Sequence, residues 1–235
     1  MDKIAAQTYF FQYGDEEINW LKSRDSLLGE VIEQIGHIKR PIIPDVFMSL
    51  VKSIVGQQIS TKAQITVWNR MLERFSPFTP EIIGAATEEE LQAVGISMRK
   101  AVYIKEMANS VLTGKLDLIG LEALSDEDVC AALTQIKGIG IWTAEMVMTF
   151  SMQRRDIISW GDLAIHRGLR MLYRHRKITP ELFQKYQRRY SPYATVASLY
   201  LWAIAGGAFP ELNDPAPKTA AQKKADAKKR TKLKG

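Results

Sequence analysis

Apolar residues recur along the chain at three- and four-residue intervals, the spacing that lines one face of an α-helix, and polar or acidic residues separate one such stretch from the next. "GDEEINWLKSRD" and "DSLLGEVIEQIG" open on acidic residues, and "IPDVFMSLVKSIVGQ" continues the pattern after Pro44. The same spacing predicts helices over "STKAQITVWNRMLERF", "SMRKAVYIKEMANSVLTG", "SDEDVCAALTQIKG", "GIWTAEMVMTFSM", "DLAIHRGLRMLY", "TPELFQKYQRRY" and "PYATVASLYLWAIAGG". Ser, Thr or Asp precedes most of these stretches and glycine closes several, as helix ends require. Strand-like alternation joined by hairpin turns is missing. The expectation is an all-α fold with short connections, which argues against Rossmann and P-loop enzymes.

Composition refines this picture. With 46% apolar residues, 235 residues can fill the core of one large domain or of two intimate lobes. The longest apolar runs are broken by charge or glycine before they could span a bilayer, and the N-terminal stretch lacks the pattern of a secretory signal. A cytoplasmic protein without a membrane partner is expected. Cys130 is the only cysteine, which excludes an intrachain disulfide, a CxxC pair and a four-cysteine zinc or iron–sulfur site. It reads as a small buried residue of a helix. His37, His166 and His175 are scattered without metal-ligand spacing.

Charge is unevenly placed. From Pro217 to Gly235 eight Lys or Arg face Asp226 alone, so the pI of 9.3 belongs to this tail, read as disordered and able to raise non-specific affinity for nucleic acid. Within the body, residues 154–189 hold ten Arg or Lys against Asp156, Asp162 and Glu181, whereas residues 81–128 hold ten acids and four bases. Such segregation suggests one face for a polyanion and another for solvent.

The stretch "QIKGIGIWTAEM" (135–146) sets Gly138 and Gly140 one residue apart between two helical patterns. With no strand before it and no third glycine after it, this is not a dinucleotide turn. It reads as a helix, a tight turn and a second helix from about Ile141, whose free N–H groups point outward and suit a phosphate. A glycine-rich corner used only for packing is the other reading. Twenty-two residues after Gly140, Asp162 follows a glycine and opens a helix on which Leu163, Leu169 and Leu172 are expected on the inward face.

The hairpin resembles the helix-hairpin-helix motif. Together with the spacing and the Gly-Asp at a helix start, it is similar to the helix-hairpin-helix plus Gly/Pro-Asp (HhH-GPD) superfamily of DNA glycosylases. "SIVGQQIS" (53–60) and "GISMRKAVYIKEMA" (95–108) look like segments of its 3-methyladenine DNA glycosylase II branch. The resemblance spans about residues 9–207 and implies two all-α lobes with a central cleft. Residues 1–46 with 151–212 would carry the catalytic aspartate, 47–150 the hairpin, and 213–235 would be the basic tail. The chain is expected to be too short and too helical for the N-terminal β domain of larger relatives.

The resemblance further implies roles. Gly138, Gly140, Ile141 and Thr143, with Lys137 beside them, would meet the DNA backbone, and the carbonyls of Thr134, Ile136 and Ile139 would hold Na+ or K+. For Lys137 plain solvation is equally open. Gln58 would be the wedge that enters the duplex, although Gln57 and Gln58 also suit simple helix capping. Asp162 would stabilise the oxocarbenium-like transition state and position or deprotonate the attacking water. Trp142 stands where bifunctional members carry a lysine, so no amine is available there to attack C1′, and water is the expected nucleophile. Trp142, Trp202 and Trp160 are candidates to line the base pocket, where an aromatic face attracts a cationic alkylated purine. Trp202 suits a core position equally well. Ala194 follows "PY" where relatives are expected to carry arginine, which puts the substrate range in doubt. His166 and Arg167 could touch phosphate.

The chemistry implied is monofunctional excision of alkylated purines of the 3-methyladenine type from flipped-out positions in damaged double-stranded DNA, by a monomer needing no cofactor and no iron–sulfur cluster. The alternatives are a mismatch or oxidised-base glycosylase of the same fold, and a non-catalytic helix-hairpin-helix DNA-binding protein.

Overall fold

The computed structural model describes residues 8–217, and the chain folds into two compact units. Among the described residues one comprises 8–14 and Lys39–Gly161, the other Asp15–Ile38 and 162–217. The chain therefore changes unit at 14/15, 38/39 and 161/162, where the sequence suggested 46/47 and 150/151. A two-residue antiparallel pair explains the first two changes. Strand β1 (Tyr9–Phe10) pairs with β2 (Pro41–Ile42), and Phe11 N donates to Arg40 O at 2.9 Å, so residues 8–14 stay with the first unit while the intervening helices leave it.

Otherwise the described residues form twelve α-helices and one short 3-10 turn, the all-α fold expected. The first unit contains α3 (Val46–Gly56), α4 (Thr61–Arg74), α5 (Pro80–Ala85), α6 (Glu88–Gln92), α7 (Met98–Leu112), α8 (Asp126–Thr134) and α9 (Ile141–Phe150). Their apolar faces meet in one core built on Leu50, Val51, Ile54, Met71, Ile83, Leu91, Ile104 and Leu133, each fully buried. Fully burying one such side chain contributes about 1.5–3 kcal/mol, so this core dominates the unit's stability.

The second unit contains α1 (Asp15–Arg24), α2 (Ser26–Ile35), α10 (Leu163–Tyr173), α11 (Pro180–Tyr190) and α12 (Ala194–Ala205). Helix α10 packs closely along α12, and Gly168 is the reason it can: a Cβ there would sit 2.4 Å from Leu201 O. On α10, Ile165 and Leu169 are fully buried and Leu172 nearly so, but Leu163 is 84% exposed. The expectation of an inward Leu163 fails on geometry, because nine residues separate it from Leu172 and at 100° per residue that is half a turn out of phase.

Side chains cap nine of these helix N-termini: Asp25, Asp45, Ser60, Thr79, Thr87, Ser97, Ser125, Asp162 and Thr179 each accept from an N–H of the first turn. Helix α9 has no such cap. Beyond α12, Asp214 is held by Arg170 through two hydrogen bonds (2.8 and 2.6 Å), so the start of the expected tail is anchored. Residues 218–235, the bulk of that tail, lie outside the described residues.

Candidate active site

In the first unit, α8 ends at Thr134 and the chain reverses in a tight turn before α9. Ile136 N and Ile139 N donate to Leu133 O and Ile136 O (3.1 and 3.0 Å), and Gly138 takes φ +89°, a left-handed conformation that favours glycine. Position 138 is also crowded, since a Cβ would lie 2.7 Å from Tyr103 Cδ2. Gly140 is the N-cap of α9 with extended backbone and no acceptor side chain. Among the described residues the N–H groups of Gly140, Ile141 and Thr143 have no hydrogen-bond acceptor. The combination of unpaired donors and the positive end of the helix dipole suits an anion.

The carbonyls proposed for a monovalent cation divide in two. Ile136 O accepts from Ile139 N, whereas Thr134 O and Ile139 O receive no hydrogen bond among the described residues. Oxygen atoms left over at a turn fit a hard cation, so this donor set is compatible with Na+ or K+.

The loop between α3 and α4 leans on this hairpin through a contact that sequence reasoning missed. Gln57, the C-cap of α3, donates from Nε2 to Gly138 O at 2.6 Å. Its own carbonyl and that of Val55 accept from Lys100 Nζ (2.6 and 2.9 Å), which ties α7 to the end of α3. Burial, with the neighbouring Arg99, lowers the Lys100 ammonium from the usual lysine range. Gln58 follows in an exposed left-handed conformation (φ +58°), beside the exposed Ile59. A braced residue followed by a protruding one is the geometry a wedge needs. Lys137 instead points to Glu106, at 2.9 Å, and that hydrogen bond raises its ammonium above its ordinary value.

Trp142 and Trp160 are both about half exposed, 49% and 45%, so neither serves the core. They belong to one unit, and the backbone at Gly161 runs beside Trp142, where an added Cβ would lie 3.6 Å from Trp142 Cβ. Below them Ser159 donates to Glu145 in a short hydrogen bond that joins the Trp160 segment to α9.

In the second unit, Asp162 is 8% exposed and caps α10. Its Oδ1 accepts from Ala164 N (2.8 Å) and Ile165 N (3.1 Å), and its Oδ2 accepts from Trp202 Nε1 (3.1 Å). Three N–H donors thus fix the plane of the carboxylate. Trp202 is neither a plain core residue nor merely an exposed aromatic face: half-buried on α12, it directs its one polar atom at Asp162. Gly168 is the signal that could have found this contact, because glycine inside a helix is unfavourable by about 1 kcal/mol and marks a close approach. Ala194 is fully buried in the first turn of α12. His166 stacks on Phe183 (ring centroids 5.6 Å apart), and Arg167 lies 4.0 Å from Asp214, so both already have protein partners. Among the described residues no group of three His, Cys, Asp or Glu could hold a metal ion, and no helix is long and apolar enough to cross a membrane.

The hairpin and the capped aspartate define a class before any particular relative is considered: a helix-hairpin-helix protein with an aspartate at a downstream helix start. The comparisons agree. Residues 51–192 match the family described as HhH-GPD superfamily base excision DNA repair protein, and the chain belongs to that family. A DNA-3-methyladenine glycosidase from Bacillus halodurans has a similar crystal structure, with a TM-score of 0.77 and 36% identity over 87% of this chain and 95% of that one. DNA-3-methyladenine glycosylase 1 of Schizosaccharomyces pombe is 35% identical over 161 residues, 66% of this chain and 71% of the relative. A structure of a 3-methyladenine DNA glycosylase from the same yeast in complex with abasic DNA has a TM-score of 0.68 and 29% identity, covering 82% of this chain and 97% of that one.

Proposed function

We propose that this protein is a monofunctional DNA glycosylase of base excision repair that releases alkylated purines of the 3-methyladenine type from duplex DNA. The observation that carries the reading is the Asp162 carboxylate, buried at a helix start and oriented by Trp202 and two backbone N–H groups. Breaking the bond between C1′ and the base builds positive charge on the sugar, and a fixed carboxylate needs no reorganisation to stabilise it. The same carboxylate would accept a proton from, or orient, the attacking water. The names of the relatives in two organisms support an alkylated base as substrate.

Two features support water rather than an amine as nucleophile. Trp142 occupies the second position of α9 and has no amine to offer. A lysine that forms a Schiff base must readily lose its proton, but Lys137, the lysine of the hairpin, is held charged by Glu106. The half-exposed indoles of Trp142 and Trp160 supply π-faces for a cationic purine, whose glycosidic bond alkylation has already weakened. The hairpin N–H groups and the cation-compatible carbonyls would hold the DNA backbone, with Gln58 entering the duplex.

The test is a release assay on methylated duplex DNA in which the freed bases are identified, run with and without borohydride. Expected are released alkylated purines, an intact strand at the abasic site and no trapped covalent complex. Release of mismatched or oxidised bases alone, or a lysine adduct trapped by borohydride, would overturn the reading.

A further inference from the structure

The basic segment 154–189 is only partly absorbed by these roles. Arg154 donates to the carbonyls of Leu121, Glu122 and Leu124, Arg170 holds Asp214, and Arg189 holds Asp25, so three of its cations serve the fold. Lys185 and Arg188 do not. They stand with Arg189 on α11 at three- and four-residue spacing, which places all three along one face of the helix. Arg24, the last residue of α1, joins them, and with Ser23 these side chains line an open, shallow recess of about 360 Å³ within the second unit.

The charge of this recess is unbalanced. Asp25 is the carboxylate beside it, buried and already accepting from Leu28 N, Tyr173 Oη and Arg189 Nη1 (3.0, 2.8 and 2.5 Å). Among the described residues Arg24, Lys185 and Arg188 form no ion pair, and Glu181, one turn before Lys185, does not reach it. Four cations against Asp25 leave an excess of three positive charges. Like charges at these spacings repel one another and weaken a helix. Two guanidiniums are nevertheless held in place: Arg189 by Asp25 and by the face of Tyr186 (5.2 Å), and Arg24 over Trp20 (5.3 Å). Pre-ordered guanidinium groups around an open recess match the multiple oxygens of a phosphate.

We infer that this recess is a further phosphate-binding patch, which takes backbone phosphates of duplex DNA in addition to any held at the hairpin. The inference rests on the DNA-binding part of the proposed function. It predicts an electrostatic contribution to affinity with no sequence or lesion preference, because phosphates carry neither.

The experiment measures affinity for a duplex containing an abasic-site analogue across a range of salt concentrations, using the full chain and its Lys185→Gln/Arg188→Gln variant. Each phosphate that the protein no longer neutralises makes the slope of log affinity against log salt shallower by about 0.9, so the double variant should be shallower by about 2 and bind roughly 10- to 100-fold more weakly near 0.1 M salt. Adding Arg24→Gln should take the difference in slope to about 3. Both side chains of the double variant are exposed and unpaired, so its melting temperature should match the parent's, and Lys185→Arg/Arg188→Lys should restore the slope. A double variant that keeps the parental slope overturns the patch alone. A parent chain with no affinity for any duplex overturns the patch and the glycosylase reading together.

Discussion

The N-cap of α9 is Gly140, which puts no side chain on the first N–H groups, whereas the N-cap of α10 is Asp162, whose carboxylate occupies two of them. Every helix start exposes the same unsatisfied donors and the same partial positive charge. At α9 the chain withholds an acceptor, so the donors remain for an anion supplied from outside. At α10 the acceptor is internal and, in the proposed function, is itself the reactive group: capping engages Oδ1 while Oδ2 is oriented by Trp202. Under the proposed function two identical backbone features thus acquire opposite roles from a single side chain, binding in one case and chemistry in the other.

The sharpest break of this contrast is Asp162→Asn. Asparagine caps a helix about as well as aspartate, so stability should change by less than about 1 kcal/mol. Base release under single-turnover conditions should nevertheless fall about 10³-fold, since the negative charge is gone. Affinity for abasic-analogue DNA should persist. Equal loss of stability and release would mean that Asp162 serves only the fold.

Next in size is Trp202→Phe, which keeps an aromatic ring but removes the donor to Oδ2. A hydrogen bond to a charged group is worth about 1.5–3 kcal/mol, so release should slow roughly 10- to 100-fold. The diagnostic is uniformity. If Trp202 positions Asp162, every alkylated base slows by the same factor; a loss confined to one base would assign Trp202 to base recognition instead.

Gly140→Asp would convert the start of α9 into a copy of α10. The backbone there is ordinary (φ −94°, ψ 172°) and an added Cβ would meet nothing within 4 Å, so the change is sterically free. The new cap should raise helix stability by a few tenths of a kcal/mol while DNA affinity falls about tenfold or more, because the carboxylate takes the donors and repels phosphate. A thermal melt and a DNA titration on the same sample would read both signs. Parallel movement of the two would refute the claim that the uncapped start binds backbone.

Sequence reading reached one half of this contrast more fully than the other. Ten helices were legible because each runs for nine residues or more, long enough to display the 3.6-residue period, and most carry a polar cap. Helices α5 and α6, at six and five residues, are too short to show it, and two-residue strands leave no alternation at all. The uncapped hairpin was legible because it is local: glycines and helix start lie within a few residues of one another. Asp162 could be read as a cap for the same reason. Its orientation by Trp202 could not, since that contact joins residues 40 apart and depends on how closely Gly168 lets α10 approach α12. Gln57 could be read as a cap, which it is, but not as a brace of the hairpin, because its partner Gly138 is 81 residues away.

The smallest prediction tests whether the hairpin grips through its backbone or through its nearest charge. Lys137 lies between Ile136 and Gly138, so a phosphate-binding lysine there would make the uncapped helix start incidental. Its ammonium is instead directed at Glu106, 2.9 Å away, whose carboxylate offsets its charge. Lys137→Ala should therefore change DNA affinity by no more than about twofold and leave the salt slope shallower by well under 0.9, less than one phosphate's worth. Tenfold weaker binding with a slope shallower by about a full unit would move the grip from the α9 N–H groups to a side chain, and the difference between the two helix starts would no longer account for their division of labour.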